Sequence, residues 1–317
     1  MILTVTLNPS MDYIYHIDHF NLGKQNRFNP PTRMPGGKGI NASRTIASLN
    51  NKVLAFTLLG GVNGQMIQEE LKKEEFSNYN IEIKEESRNA ITIMHDNETH
   101  TEIVEEGPRV SETQKEEIFS SILDIINTNH IHIVSINGSV NTTNEFFYNE
   151  LLELLRTKID HDLIILMDIS KDKLKNIVNH SQYRPDFIKP NIIEFGELFD
   201  KEITEKAEVI EILKQHNIDI PYLLVSCGGD GAVAKIHNKI YDIGIPHIQL
   251  INPTGSGDAT VGGVAHSFEN HFDDEAILRQ AMACGVANAM EPGVGVVSPK
   301  NVEDIYSKVT IKEVYTA

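Results

Sequence analysis

The chain of 317 residues has no tryptophan, only two cysteines, and far fewer basic than acidic side chains, 28 against 45. That shortfall of base leaves a formal charge of −17 and removes the broad positive face that nucleic acid or an anionic membrane surface requires. Small anions are not excluded, because screening over about 8–10 Å lets a few local cations outweigh a distant acidic surface. Cys227 follows an apolar run and Cys284 lies among alanines, so both read as buried thiols in a reducing cytoplasm rather than as a disulfide or a catalytic thiol. The opening MILTVTLNPSMD lacks the basic start and long apolar stretch of a signal peptide. No apolar run approaches the ~18 residues that a membrane span needs. Also missing are a G-x-G-x-x-G fingerprint, a complete Walker A loop, a G-x-S-x-G elbow and an H-E-x-x-H helix. With 40% hydrophobic residues, the length supports a substantial core, as two domains or one large α/β unit.

What is present is an alternation. Strand signals at 2–7, 52–59, 130–136, 163–168, 187–189 and 222–226 are interleaved with helical periodicity at 38–50, 64–75, 111–127, 142–157, 171–179, 192–199 and 204–216. A hairpin is expected over 232–236 and 239–243, then helices at 257–270 and 273–290. Such alternation predicts a mostly parallel sheet covered by helices on both faces. Three short alternating runs, IEIK, AITIMHD and THTEIVEE, do not fit that layer, and neither do polar strand-like segments at 11–18 and 27–33. They predict a second, antiparallel sheet at the mouth of the main domain.

Four segments could carry chemistry. In Asn252-Pro-Thr-Gly-Ser-Gly-Asp-Ala-Thr a strand ends, glycines turn the chain, and a helix begins. The N–H groups of Gly255, Ser256 and Gly257 would form an anion hole, with Asp258 beside it able to take a proton from a hydroxyl. A plain turn whose Asp suits the helix dipole fits the same residues. Pro35-Gly-Gly-Lys-Gly-Ile-Asn41 sets Gly36 and Gly37 before Lys38 at a helix start, with Asn41 one turn on; it suits either an anion or a solvated Gly-rich turn. In Ile188-Lys-Pro-Asn-Ile-Ile-Glu194, Asn191 and Glu194 share a helix face, adequate for Mg²⁺ through water, and equally a helix cap with its capping-box glutamate. Ser226-Cys-Gly-Gly-Asp-Gly231 follows an apolar strand, at an edge where nucleotides bind in such sheets, though a simple turn also explains it. His16 with His19, and His130 with His132, make poor metal pairs. Asp12 and Arg88 read singly as surface residues.

Together these residues resemble the PfkB, or ribokinase-like, family of carbohydrate kinases. Within it they are similar to the phosphosugar branch of tagatose-6-phosphate kinases and 1-phosphofructokinases. The resemblance is carried by TVTLNPSMDYIYHID at the start, GGKGIN at 36–41, TEIVEEGP at 101–108, IKPNIIE at 188–194 and NPTGSGDATVGG at 252–263. It implies one kinase domain over 1–317, a three-layer α/β/α sandwich with a mostly parallel central sheet and a small antiparallel β-sheet lid from about 11–34 and 81–107. It implies ATP-dependent phosphorylation of a ketohexose monophosphate to a bisphosphate, with tagatose 6-phosphate favoured and fructose 1-phosphate next. By the resemblance, Asp258 is the base and Gly255, Ser256 and Gly257 form the anion hole. Asp12, Gly36, Gly37 and Asn41 then meet the sugar, Lys38 and Arg88 its phosphate, and Ser139 lies near the substrate. Lys189, Asn191, Glu194, Ser226, Gly228, Gly231 and Asn288 line ATP, with Glu194 holding Mg²⁺ through water. A homodimer through the lid is a further expectation. The chain departs from the branch at Met34-Pro35 and Val140-Asn141, both beside the expected sugar pocket. The rival expectations are a kinase of an unphosphorylated sugar or nucleoside, and a non-catalytic sugar-phosphate sensor on the same fold. An NAD-dependent dehydrogenase is disfavoured by the missing fingerprint.

Overall fold

The computed structural model describes residues 1–96 and 99–316. Among these residues a ten-stranded sheet forms the centre. Its parallel strands are β1 (Ile2–Thr6), β4 (Val53–Gly60), β5 (Ser77–Ile83), β8 (Ile133–Asn137), β9 (Ile164–Asp168), β10 (Phe187–Ile188) and β11 (Tyr222–Ser226). Three antiparallel strands extend one edge: β12 (Ala232–Ile236), β13 (Lys239–Gly244) and β14 (Thr310–Thr316). The order is β14-β13-β12-β11-β10-β9-β8-β1-β4-β5.

Strand alternation divides the core between the two faces. In β1, Leu3 and Val5 join one apolar cluster and Ile2 the other. The first cluster is closed by α3 (Glu112–Asn129), α4 (Phe147–Lys158), α5 (Lys171–His180), α6 (Ile192–Leu198) and α7 (Lys206–Gln215), through Ile122, Leu151, Leu174, Phe195 and Val209. The second is closed by α1 (Lys38–Ser48), α2 (Gly61–Leu71), α8 (Ser256–Glu269), α9 (Asp274–Ala289) and α10 (Pro299–Tyr306), through Ile46, Ile67, Val264, Ile277 and Val302. The result is the expected three-layer sandwich.

A separate four-stranded sheet sits beside it, in the order β3-β2-β6-β7: β3 (Thr32–Gly36), β2 (Ser10–His16), β6 (Arg88–His95) and β7 (Thr99–Val104). Its outer ladders are antiparallel, and its middle ladder, β2 with β6, is parallel.

Several expectations need correction. IEIK is not part of the lid: it lies in β5, parallel to β4 at the edge of the main sheet, with Ile81 and Ile83 in the main core. An edge strand with one wet face shows the same alternation as a lid strand, so pattern alone could not separate them. The segment at 27–33 is strand only from Thr32 on, because Pro30 and Pro31 offer no N–H to a ladder. β8 starts at Ile133; His130 instead ends α3 in the left-handed region, at φ 49°. α4 starts at Phe147, since Asn144 accepts from the Phe146 N–H (2.9 Å) and turns the chain there. α10 and β14 were not anticipated, although Ser298-Pro299 is a helix-start signature.

Candidate active site

The parallel strands all end on one edge of the sheet, and the site is built on the turns that leave it. After β11, the Gly-rich turn and the β12–β13 hairpin comes the 252–255 loop. Asn252 Oδ1 accepts from the Thr254 N–H (3.0 Å), and Gly255 takes φ 81°, a conformation that favours glycine, to start α8. The first turn of α8 then carries Asp258. The anion hole is not quite the one expected. The Ser256 N–H donates to Pro253 O (3.2 Å) and closes the turn, so among the described residues the donors left without a protein acceptor are those of Gly255, Gly257 and Asp258. Together with the helix dipole they still favour an anion.

Asp258 is buried, and Asn41 on α1 donates to its Oδ2 at 2.7 Å. Arg44, one turn further on α1, holds Asn41 in place by donating to its Oδ1 (2.9 Å). The same guanidinium binds Glu74 and the carbonyls of Pro35 and Val294, so every arm of this buried cation is partnered. Burial pushes the Asp258 carboxyl up to about 6, against the opposing pull of Lys38. A carboxyl so poised is ionised at neutral pH yet basic enough to take a proton.

Lys38 begins α1 and lies 3.2 Å from Asp168 Oδ1, at the end of β9; Lys189 approaches the same oxygen at 3.7 Å. Burial works against the Lys38 charge, but Asp168, Asp258 and Glu194 outweigh it and hold the ammonium well above its ordinary value. Asp168 was missed at the sequence level. Its signal was an acid closing a buried strand at the functional edge of the sheet. Its Oδ2 is buried with no protein partner among the described residues.

Two cavities meet at Lys38. The larger, about 690 Å³, is lined by Lys189, Asn191, Glu194, Ser226, Gly228 and Gly231, and by Ser256, Gly257 and Asp258. Ile245, Pro246, Ile248 and Val286 give it an apolar wall that the sequence reading did not identify. Its size and mixed lining suit a small organic ligand. Asn191 and Glu194 do form the capping box: Asn191 Oδ1 accepts from the Glu194 N–H (2.8 Å) and Glu194 Oε2 from the Asn191 N–H (2.9 Å). The cap and the cavity position coexist. Asn288 does not line this cavity. It is fully buried, its amide donating to Thr254 O (2.9 Å) and Ser256 Oγ (3.2 Å) and accepting from the Gly295 N–H (2.7 Å), so it braces the turn before α8.

The second cavity, about 530 Å³, is bounded by Asn8, Arg88, Ser139 and the start of α5. Arg88 donates to Asn8 O (3.1 Å) and Glu105 O (3.2 Å), and Asn8 Nδ2 to Ser139 Oγ (3.2 Å). Asp12 sits on β2 at the base of the lid, accepting from Ser10 Oγ (2.6 Å), and burial raises its carboxyl to about 6. A Cβ at Gly36 would lie 1.9 Å from Asp12 Oδ2, so only glycine on β3 leaves that carboxyl its place. Gly37 caps α1. Both cysteines are free thiols, and burial pushes Cys284 up to about 12 and Cys227 up to about 11, so neither is a nucleophile at neutral pH.

Comparison with known proteins finds full-length relatives. A tagatose-6-phosphate kinase of Staphylococcus epidermidis is 34% identical over 317 residues, covering 99% of this chain and 100% of the relative. Two solved structures share the fold, each 22% identical with a TM-score of 0.85. Phosphofructokinase-2 of Escherichia coli in complex with substrates and products covers 97% of this chain and 98% of its own. A possible 1-phosphofructokinase of Thermotoga maritima covers 99% of this chain and 100% of its own. Residues 5–301, from within β1 to within α10, match the pfkB family carbohydrate kinase, and the chain belongs to that family.

Proposed function

We propose that the protein transfers the terminal phosphoryl group of ATP to a hydroxyl of a ketohexose monophosphate, with tagatose 6-phosphate preferred and fructose 1-phosphate next. The observation that carries the reading is Asp258, buried in the larger cavity beside free N–H donors and within the field of Lys38, which lines both cavities. The full-length similarity to a tagatose-6-phosphate kinase supports the substrate class. The sugar hydroxyl attacks the terminal phosphorus, its proton passes to Asp258, and the bond to the ADP oxygen breaks. Catalysis of this kind rests on alignment and charge stabilisation. The Gly255, Gly257 and Asp258 N–H groups and Lys38 face the group in transit. Lys38, already paired with Asp168, is better placed there than on the sugar's own phosphate, and Arg88 is left for the latter. Asp12, Gly36, Gly37 and Ser139 border the sugar.

ATP takes the larger cavity, its base against the apolar wall and its phosphates toward Lys189. Mg²⁺ fits the donor set: Asp168 has an unpartnered buried oxygen and Glu194 lines the cavity, both hard oxygen ligands. These two would hold the ion through water, and it would neutralise phosphate charge. The half-exposed Ile103 and Val104 on the outer lid strand support a second copy as the lid's partner. Among the described residues no helix is long and apolar enough to cross a membrane. Free thiols suit a reducing cytoplasm.

Asp258→Asn tests the central role. Loss of a general base lowers kcat by roughly 10²–10⁴, with ATP binding retained in calorimetry. Wild-type turnover in that variant would remove Asp258 from the role and leave the sensor reading.

A further inference from the structure

The smaller cavity holds more cations than the known partners use. Lys38, Arg88, Lys171 and Lys173 line it, against Glu145 and Asp172. Lys38 is paired with Asp168. Lys173 donates to Asn144 O (3.1 Å), and Glu145 and Asp172 both act on its charge. Lys171 alone among these four has no hydrogen bond or ion pair among the described residues, and its side chain is exposed at the cavity rim.

The backbone at Lys171 is equally distinctive. Seven non-glycine residues among those described have positive φ; six are Asn, Asp or His, the types that tolerate it, and the seventh is Lys171, at φ 57°. Such a conformation costs a long side chain on the order of 1–2 kcal/mol. Strain kept at a cavity wall points to function more often than strain elsewhere. Here it sets an ammonium at the first position of α5, where the Ser170 side chain makes no cap and the helix N-terminus adds to the positive field.

We infer that Lys171 is a specificity-determining residue that binds the phosphate the substrate already carries. Lys171 and Arg88 line the same cavity, and the two receive the resident phosphate there, while the acceptor hydroxyl lies toward Asp258. The inference rests on the phosphosugar reading and deepens it. An uncharged sugar gives Lys171 nothing to bind, so this residue converts a sugar pocket into one that selects sugar monophosphates.

Lys171→Gly is the informative variant, because glycine accepts φ 57° without strain and the fold does not depend on the lysine. Removing one charge-assisted hydrogen bond to the phosphate, with nothing in its place, corresponds to a KM for tagatose 6-phosphate about tenfold higher or more. The KM for ATP stays put, and the melting temperature is unchanged or higher. Lys171→Arg, which keeps the charge, restores most of the sugar-phosphate affinity. Tagatose and fructose are run beside their phosphates on the wild-type enzyme. If the wild type prefers the phosphates and Lys171→Gly leaves their KM unchanged, or raises the KM for ATP equally, the assignment of Lys171 is overturned while the phosphosugar reading stands. If the wild type prefers the neutral sugars, the phosphosugar reading itself is overturned.

Discussion

Asp258 works against the stability of the protein that holds it. Its carboxyl is raised to about 6 by burial, whereas an unfolded aspartate titrates near 3.9. The native state therefore holds the proton more tightly than the unfolded chain. The stability this contributes is complete at low pH and is lost as pH rises through about 4 to 6, leaving the ionised carboxylate as a burden at neutral pH. Asn keeps the shape and the acceptor for Asn41 without the charge. Asp258→Asn should thus stabilise the fold at pH 7.5 by on the order of 1–3 kcal/mol, with the gain shrinking toward pH 4.5. Denaturant melts of both proteins at the two pH values check this; an equal or lower stability of the variant at pH 7.5 would contradict it. At this scale the sequence pointed to residues of contiguous motifs, Asp258, Asn41 and Lys38, which the fold brings together. It was silent on Asp168 and Arg44, whose importance comes from neighbours 130 and 250 positions away. Asn288 shows the opposite failure: a residue near the site by position is spent on bracing a turn.

The start of α6 carries two roles on one pair of side chains. Asn191 and Glu194 close the capping box, and the same glutamate lines the larger cavity. Glutamine serves a capping box as well as glutamate does, so Glu194→Gln separates the roles. Stability should change by less than about 0.5 kcal/mol, while the Mg²⁺ concentration for half-maximal rate rises severalfold. Asn191→Ala, by contrast, should cost about 1 kcal/mol through the lost cap. A Glu194→Gln enzyme with unchanged Mg²⁺ dependence would leave Glu194 with the cap alone. Elements with a clear period are legible in kind and place, as the buried strands β1, β9 and β11 are, and the helices between them exist as expected with some ends shifted, α4 starting at Phe147. Ambiguity arose where two environments impose one pattern. β5 alternates because one face is wet at the sheet edge, as a lid strand does, and only its parallel pairing with β4 settles its place. The parallel β2–β6 ladder was likewise invisible, because ladder direction leaves no mark on side-chain alternation.

For the molecule as a whole, the charge of −17 describes outer faces, not the site. The parallel strands deliver their loops to one edge, and there Lys38, Lys189, Arg88 and Lys171 gather around two cavities beside the uncapped start of α8. Polyanions meet the acidic exterior, while a sugar phosphate and a nucleotide meet local cations and oriented N–H groups within a screening length. That arrangement is why the fold, legible from alternation, did not reveal the substrate: on the reading proposed above, selection depends on which cations reach one cavity. A coupled assay of ADP release across tagatose 6-phosphate, fructose 1-phosphate, the corresponding neutral ketohexoses and a nucleoside tests the account most directly. The account predicts that kcat/KM is highest for tagatose 6-phosphate, with fructose 1-phosphate next and the neutral acceptors at least an order of magnitude lower (~1.4 kcal/mol). A neutral sugar or nucleoside that outperforms every phosphosugar would contradict it.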